Sequence, residues 1–110
     1  MADALVRLEG EGGWEAARSG GRVVVYKHST RCWGCRPALQ AVTTFAERHP
    51  DVVVYIVDVL LSSELAQTIA AETGVRHESP QVLVLDEGQV VWHASHSRVT
   101  LNAIEENVNV

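Results

Sequence analysis

The chain has 110 residues, and its 9 basic and 14 acidic side chains give a formal charge of −5 with the histidines neutral. This length and a hydrophobic fraction of 46% exclude a disordered chain, so we predict a single globular domain over residues 1–110. The acidic balance and the absence of a basic stripe argue against nucleic-acid binding, which depends on clustered lysines and arginines.

The first half of the chain predicts two buried strands joined by a helix. Residues 14–18 are mostly good helix formers between paired glycines, so we expect a first helix there after a short strand. Residues 22–26 and 52–57 are apolar without polar alternation, which is typical of strands buried on both faces. Between them, apolar residues recur at helical spacing over residues 36–49. This order predicts a right-handed parallel crossover.

The second half predicts a helix, a hairpin and a closing helix. Ser62 is placed to cap the third helix, and Gly74 to end it in the left-handed conformation. Residues 81–85 and 89–93 flank an Asp-Glu-Gly turn and predict two antiparallel strands. Thr100 precedes a helically spaced apolar pattern and is the expected cap of the last helix.

The two cysteines of the chain form one Cys-Trp-Gly-Cys motif, Cys32 to Cys35, between the first buried strand and its crossover helix. A lone proline, Pro80, begins the first strand of the hairpin. This order of elements, with the motif and the proline in these places, resembles the thioredoxin-like fold. We therefore predict an α/β protein with a central mixed β-sheet flanked by helices.

The position of the motif indicates thiol–disulfide exchange. Cys32 lies at the start of a helix, whose unpaired N–H groups stabilise a thiolate, so we assign it as the attacking thiol. Cys35 follows one turn later and can close a disulfide that expels a bound partner, which makes it the resolving thiol. Lys27, His28 and Arg31 add positive charge that could lower the thiol pKa, and His28 is the favoured one.

Three more residues bear on the substrate site. Trp33 between the cysteines either forms an aromatic wall that contacts substrate or covers the sulfur from water, and substrate contact is favoured. A cis Ser79–Pro80 bond would expose the preceding backbone to an extended substrate, whereas a trans bond would only end a loop; the fold favours cis. Pro37 lacks an N–H, so the helix either begins nearer Cys35 or is kinked.

Three segments carry a closer resemblance. Residues 27–32 read Lys-His-Ser-Thr-Arg-Cys, residues 77–82 read His-Glu-Ser-Pro-Gln-Val, and residues 91–96 read Val-Trp-His-Ala-Ser-His. In this order they resemble the YtxJ-like family, the bacilliredoxin C type of thioredoxin-like proteins of the bacillithiol system. The segments span most of the chain, and the flanking helices fit the same architecture.

The resemblance implies a thiol–disulfide oxidoreductase without a bound cofactor or metal, for which bacillithiol is the low-molecular-weight co-substrate. Cys32 would attack bacillithiol–protein mixed disulfides and itself become bacillithiolated. Pro80 would be the cis-proline, and the backbone of Ser79, Pro80 and Gln81 would line the substrate groove. Its partners would be bacillithiolated or disulfide-bonded client proteins.

Two departures from related patterns stand out. Members of the family typically carry Cys-Pro-Ile-Ser, with a single active cysteine, whereas this chain has a second thiol at Cys35. The cycle is therefore either monothiol or dithiol. Tyr26 stands where many thioredoxins bury an acid, so the proton-transfer partner of Cys35 is open, with Asp58 and His28 as candidates.

Other classes of function have their own sequence signals. Cys32, Cys35, His93 and His96 are ligand types that zinc accepts, and an iron–sulfur cluster shared between two chains through Cys32 is a separate possibility. Both rank below redox chemistry, as does a pure interaction module. His93 and His96 are otherwise either contacts to bacillithiol or surface residues.

The remaining aromatic and histidine residues have structural interpretations. His49 is expected to cap a helix, and Trp92, by alternation with Val90, to pack on a sheet face. His77 is either a groove residue or a solvated loop residue. The chain shows neither a secretory leader nor an apolar run long enough to cross a bilayer, so we expect a cytoplasmic protein. A monomer is the default expectation.

Overall fold

The computed structural model describes residues 4–31 and 33–109. Cys32, the predicted attacking thiol, lies outside the described residues. In chain order the elements are β1 (Val6–Arg7), α1 (Gly10–Arg18), β2 (Arg22–His28), α2 (Cys35–Arg48), β3 (Val53–Asp58), α3 (Ser63–Thr73), β4 (Gln81–Asp86), β5 (Gln89–Ser95), a 3-10 turn (His96–Arg98) and α4 (Leu101–Val108). The predicted order of elements is confirmed.

The described strands form one mixed sheet in the order β1-β3-β2-β4-β5. β1 and β2 run parallel to β3, while β4 is antiparallel to both β2 and β5. The predicted parallel crossover and antiparallel hairpin are therefore confirmed. Because of these directions, the C-terminal ends of β2, β3 and β5 and the start of β4 all lie at the same end of the sheet.

The central strand β2 is buried on both faces, which explains its uninterrupted apolar run. Val24 and Tyr26 of β2 pack on the side of α2 and α4, whereas Val23 and Val25 pack on the side of α1 and α3. Each of these side chains is almost completely buried. Successive residues of a strand point to opposite faces, so a strand between two helix layers needs apolar residues throughout.

Helix α1 begins at Gly10, four residues before the predicted start. Its glycines are poor helix formers, but Trp14 is 1% exposed and packs on the sheet, so tertiary burial outweighs local propensity. The Trp14 indole Nε1 donates to Glu72 Oε1 of α3 over 2.8 Å. Arg18 pairs with the same carboxylate oxygen, which joins α1 to α3.

Strand β5 carries a bulge that alternation did not predict. Val84 pairs with Trp92, but the next residue of β4, Leu85, pairs with Val90, so Val91 is an extra, exposed residue. Trp92 consequently packs on the face of α2 and α4, and Val90 on the opposite face. The expected packing of Trp92 is confirmed, but its alternation with Val90 is wrong.

The predicted helix caps differ in their chemistry. Thr100 Oγ1 accepts a hydrogen bond from Ala103 N over 3.2 Å, as expected for an N-cap. Ser62 occupies the N-cap position of α3 but makes no side-chain capping bond. Gly74 ends α3 with φ of 75°, the left-handed conformation predicted for it.

We expect Thr100→Ala to lower the free energy of unfolding by about 1 kcal/mol, because the N–H of Ala103 loses its acceptor. Ser62→Ala is the matched control, since Ser62 has no such bond. It should change stability by less than about 0.5 kcal/mol. Urea unfolding of both variants measures the difference, and equal losses would contradict the assigned cap.

Candidate functional site

Cys35 is the first residue of α2 and lies at the end of the sheet where β2 finishes. It is 1% exposed. The backbone N–H of Ser29 donates to Cys35 Sγ over 3.4 Å, and Ser79 Oγ lies 3.5 Å from the same sulfur. Donors directed at a sulfur stabilise its thiolate. The predicted resolving thiol is therefore buried beside two polar groups suited to thiol chemistry.

Helix α2 begins at Cys35, the first of the two alternatives that Pro37 left open. Pro37 is thus the third helical residue, and its missing N–H falls among the first four, which have no partner within a helix. The first bond of the helix runs from Ala38 N to Gly34 O over 3.4 Å. The proline is accommodated without loss of a helical hydrogen bond.

The motif loop before α2 and the proline loop before β4 face each other at this end of the sheet. The Ser79–Pro80 peptide is cis, and a Cβ placed on Gly34 would lie 3.7 Å from Pro80 Cδ, in van der Waals contact. The carbonyl of Pro80 accepts from His96 N over 2.9 Å, which ties the end of β5 to the proline. The motif loop and the proline loop are therefore adjacent.

A groove opens between these loops. Its cavity volume is about 320 Å³, and its walls include Gly34, Pro37, Ser79, Pro80, His96 and Val99. Trp33, which precedes the lining residue Gly34 in the chain, has 95% of its surface exposed. An exposed indole is suited to contact a substrate.

The side chain of Gln81 points away from the groove into the structure. It is 1% exposed, and its Nε2 donates to Arg76 O over 2.9 Å and to Ser95 Oγ over 3.2 Å. Its Oε1 has no hydrogen-bond partner among the described residues. The side chain thus fixes the loop that leads into Pro80. The part of Gln81 that was predicted to line the substrate groove is its backbone, not its side chain.

Tyr26, His28 and Cys35 form a hydrogen-bonded chain. The fully buried Tyr26 hydroxyl donates to Cys35 O over 3.3 Å and lies 3.0 Å from His28 Nδ1. Burial raises the pKa of Tyr26 far above its ordinary value. Burial also lowers the pKa of His28, and the charge of Asp58 opposes this shift. The contact of Tyr26 with Cys35 was missed; its position in place of a buried acid was the available signal.

Lys27 is the only lysine of the chain, and it is completely buried. Its Nζ lies 3.2 Å from His77 Nδ1. Burial lowers the pKa of Lys27 to about 8. Burial and then the charge of Lys27 lower the pKa of His77, while Glu78 opposes them. Because Lys27 follows Tyr26 in the strand, it points to the face opposite Tyr26, and the structure does not bring it to the side of Cys35.

His49 and His96 each lie near a glutamate. His49 Nε2 lies 2.8 Å from Glu105 Oε2 and joins the end of α2 to α4. His96 Nε2 lies 4.0 Å from Glu78 Oε2. Within residues 4–31 and 33–109, no three His, Cys, Asp or Glu side chains gather as metal ligands, so Cys35, His93 and His96 do not share a site. No described helix is long and apolar enough to cross a membrane.

Comparisons with known proteins agree with this geometry. The family model described as "Monothiol bacilliredoxin BrxC" matches residues 9–104. A solved structure described as a candidate oxidoreductase with a thioredoxin fold is 27% identical in sequence and superposes with a TM-score of 0.87. The match covers 94% of this chain and 93% of that chain.

Two thioredoxins show the same fold at lower identity. The thioredoxin of Malassezia sympodialis is 18% identical, with 98% of this chain and 90% of that chain covered and a TM-score of 0.79. The thioredoxin of Trypanosoma brucei brucei is 15% identical, with 99% and 91% covered and a TM-score of 0.80. The predicted α/β thioredoxin-like fold class is confirmed.

Proposed function

Because the chain belongs to the monothiol bacilliredoxin family, we propose that it reduces mixed disulfides between bacillithiol and protein cysteines, with Cys32 as the attacking thiol and Cys35 as the resolving thiol. Family and fold make it a thioredoxin-fold redox protein. What we propose beyond this is the substrate, the thiol–disulfide exchange and the resolving step by Cys35. Bacillithiolated or disulfide-bonded proteins of the cytoplasm are its partners, and bacillithiol is a free co-substrate rather than a bound cofactor.

The reaction has two exchanges. The Cys32 thiolate attacks the bacillithiol sulfur of the mixed disulfide; that S–S bond breaks, and the client cysteine leaves as a thiolate. The thiolate of Cys35 then attacks the sulfur of Cys32 and forms an internal disulfide, while bacillithiol leaves as a thiolate. The two electrons that reduce the client disulfide come from the two motif cysteines. A cellular thiol reductant must return the internal disulfide to the dithiol.

One observation carries the dithiol part of the proposal. Cys35 is not a surface residue of the motif but is buried at the start of α2, with Ser29 N–H and Ser79 Oγ close to its sulfur. A buried thiol cannot meet a bulky client, yet it can meet a neighbouring sulfur one turn away. Burial of Cys35 therefore favours an internal partner over an external one.

The groove supplies the substrate contacts in this proposal. An extended client segment contacts the backbone of Ser79, Pro80 and Gln81, where the loop enters β4. The exposed indole of Trp33 packs on the same segment. His28 contributes to substrate binding at the inner end of the site, where Tyr26 lies between it and Cys35.

Intact mass tests the proposal. Reduced protein is incubated with bacillithiol disulfide and quenched with acid, using wild type, Cys32→Ser and Cys35→Ser. We expect Cys35→Ser to hold one bacillithiol adduct, wild type to pass through the adduct to an internal disulfide, and Cys32→Ser to form no adduct. Serine is the matched replacement because it differs by one atom. De-bacillithiolation of a bacillithiolated client should be lost in Cys32→Ser.

The outcomes separate the parts of the proposal. A stable adduct on the wild-type protein would mean a monothiol cycle and would remove the resolving role of Cys35. Absence of an adduct on all three proteins would contradict the bacillithiol chemistry altogether. An adduct on Cys32→Ser would exchange the roles of the two cysteines.

A further inference from the structure

Three polar side chains lie in a row across the sheet, at the end where β4 begins. Lys27 of β2 is directly opposite Gln81 of β4, and Gln81 is directly opposite Ser95 of β5. Side chains directly opposite each other on adjacent strands share a face and are close enough to interact. Lys27 and Gln81 are almost completely buried, and Gln81 Nε2 donates to Ser95 Oγ over 3.2 Å. We call these three residues the polar row.

The two neutral members of the polar row hold the loop that leads to the cis-proline. Gln81 Nε2 donates to Arg76 O over 2.9 Å. Ser95 hydrogen-bonds the side chain of Glu78, which lowers the pKa of that carboxyl below its ordinary value. Among the described residues, the backbone of residues 76–79 makes no hydrogen bond to another backbone group. The loop therefore depends on side-chain contacts for its conformation.

The charged member of the row, Lys27, contacts His77, which lies between the two loop residues held by the neutral members. Burial lowers the pKa of Lys27 to about 8, so its side chain is an ammonium at neutral pH. An ammonium has three donors and no acceptor, so over the 3.2 Å to His77 Nδ1 it is the lysine that donates. Because β2 is the middle strand of the sheet, this bond joins the loop to the centre of the fold.

The loop held in this way continues directly into the substrate groove. Ser79 and Pro80 follow it, and both line the cavity beside the start of α2. A groove binds an extended segment more tightly when its own backbone already has the bound conformation, because less freedom is lost on binding. A contact that fixes the loop therefore raises affinity for a client without touching it. Burial of a cation costs folding free energy, so this contact is not explained by stability alone.

We propose that Lys27 is a positioning residue for client binding: through His77 it holds the backbone of Ser79 and Pro80 in the conformation that receives an extended client segment. The inference rests on the proposed function and deepens it, because it assigns part of the client affinity to a buried side chain behind the groove. Lys27 takes no part in the exchange of sulfurs, since it points to the face of the sheet opposite Tyr26.

Lys27→Met tests this role, because methionine keeps the apolar stem but cannot donate to His77. The probe is a synthetic unstructured peptide with one bacillithiolated cysteine. Reduced protein, in excess over the peptide, is varied in concentration, and release of the peptide thiol is followed in a single turnover. We expect the half-saturating concentration to rise about tenfold and the maximal rate to change by less than about threefold.

Stability and charge are controlled separately. The midpoint of urea unfolding of Lys27→Met should not lie below that of wild type, so unfolding cannot account for weaker binding. Arg22→Met removes a cation from the other end of the same strand and is the matched control. It should keep the half-saturating concentration of wild type.

Two replacements of His77 separate this contact from a general structural effect. His77→Asn keeps an acceptor at the place of Nδ1 and should stay within about threefold of wild type. His77→Leu has nearly the same size but no acceptor, and should match the about tenfold rise of Lys27→Met. Because both residues act through one contact, combining Lys27→Met with His77→Leu should be no worse than either change alone. The combination also removes the unpaired cation, so it replaces His77→Leu where that variant unfolds.

The inference and the proposed function fail in different ways. If Lys27→Met reacts with wild-type half-saturation, or loses maximal rate instead, the positioning role is overturned while the function stands. The same holds if the effects at Lys27 and His77 multiply in the combined variant. If wild type releases no thiol from the peptide, the proposed function fails and the inference with it.

Discussion

Lys27→Met is expected to raise the free energy of unfolding near pH 7 by about 2 kcal/mol. Burial lowers the pKa of Lys27 from 10.5 to about 8, a difference that corresponds to about 3 kcal/mol against the charged form. Methionine keeps the apolar stem and removes the charge. About 1 kcal/mol is lost because His77 Nδ1 no longer has its partner at 3.2 Å.

The same residue gives wild type a pH dependence of known sign. Between about pH 8 and 10.5 the unfolded chain binds a proton on Lys27 that the folded protein has released, so stability rises with pH. Below that window the ammonium is present in both states, and the cost of its burial is constant. Lys27→Met should lose the rise. Tyr26, whose pKa burial raises, opposes it only as pH approaches 10.0 and above.

Two measurements check this prediction. Because Lys27 is the only lysine, isotope-labelled lysine gives one side-chain ε-resonance, whose titration midpoint should lie near 8. Urea unfolding from neutral to alkaline pH measures the stability of both proteins. Arg36→Met, which removes an exposed cation from α2, is the matched control and should show neither effect. A midpoint near 10.5 would contradict the argument.

Phe45→Ala is expected to lower the free energy of unfolding by about 3–5 kcal/mol. Phe45 is completely buried between α2 and the sheet, and its ring centroid lies 4.7 Å from that of His49. Removing the ring leaves a cavity that the close-packed surroundings fill only in part. Since a domain of this size has a total stability of about 5–15 kcal/mol, the variant should retain only a small margin.

Urea unfolding at room temperature measures this loss as a lower transition midpoint. Gln40→Ala on the exposed side of the same helix is the matched control and should change stability by less than about 0.5 kcal/mol. A loss below about 1 kcal/mol in Phe45→Ala would mean that the core around α2 repacks, contrary to the packing described. Because α2 also carries Cys35, the two variants should be compared in the adduct assay as well.

Much of the fold could be predicted from the sequence because local patterns of apolar residues indicate which side chains are buried. The apolar runs of β2 and β3 predicted strands buried on both faces, and Gly74 predicted the end of α3 through its left-handed backbone. Errors arose where packing outweighed a local rule. Burial of Trp14 extends α1 through several glycines, and the extra residue Val91 reverses the alternation of β5.

The candidate site could likewise be predicted only in part from the sequence. Residue types and their spacing along the chain were enough to predict the redox motif, its place before α2, the proline at the start of the hairpin and the family resemblance. The tertiary structure was needed to show that Tyr26 bonds both Cys35 and His28, and that Lys27 meets His77 on the other face. These contacts depend on strand register and loop placement, since Lys27 and His77 are 50 residues apart and no local pattern pairs them.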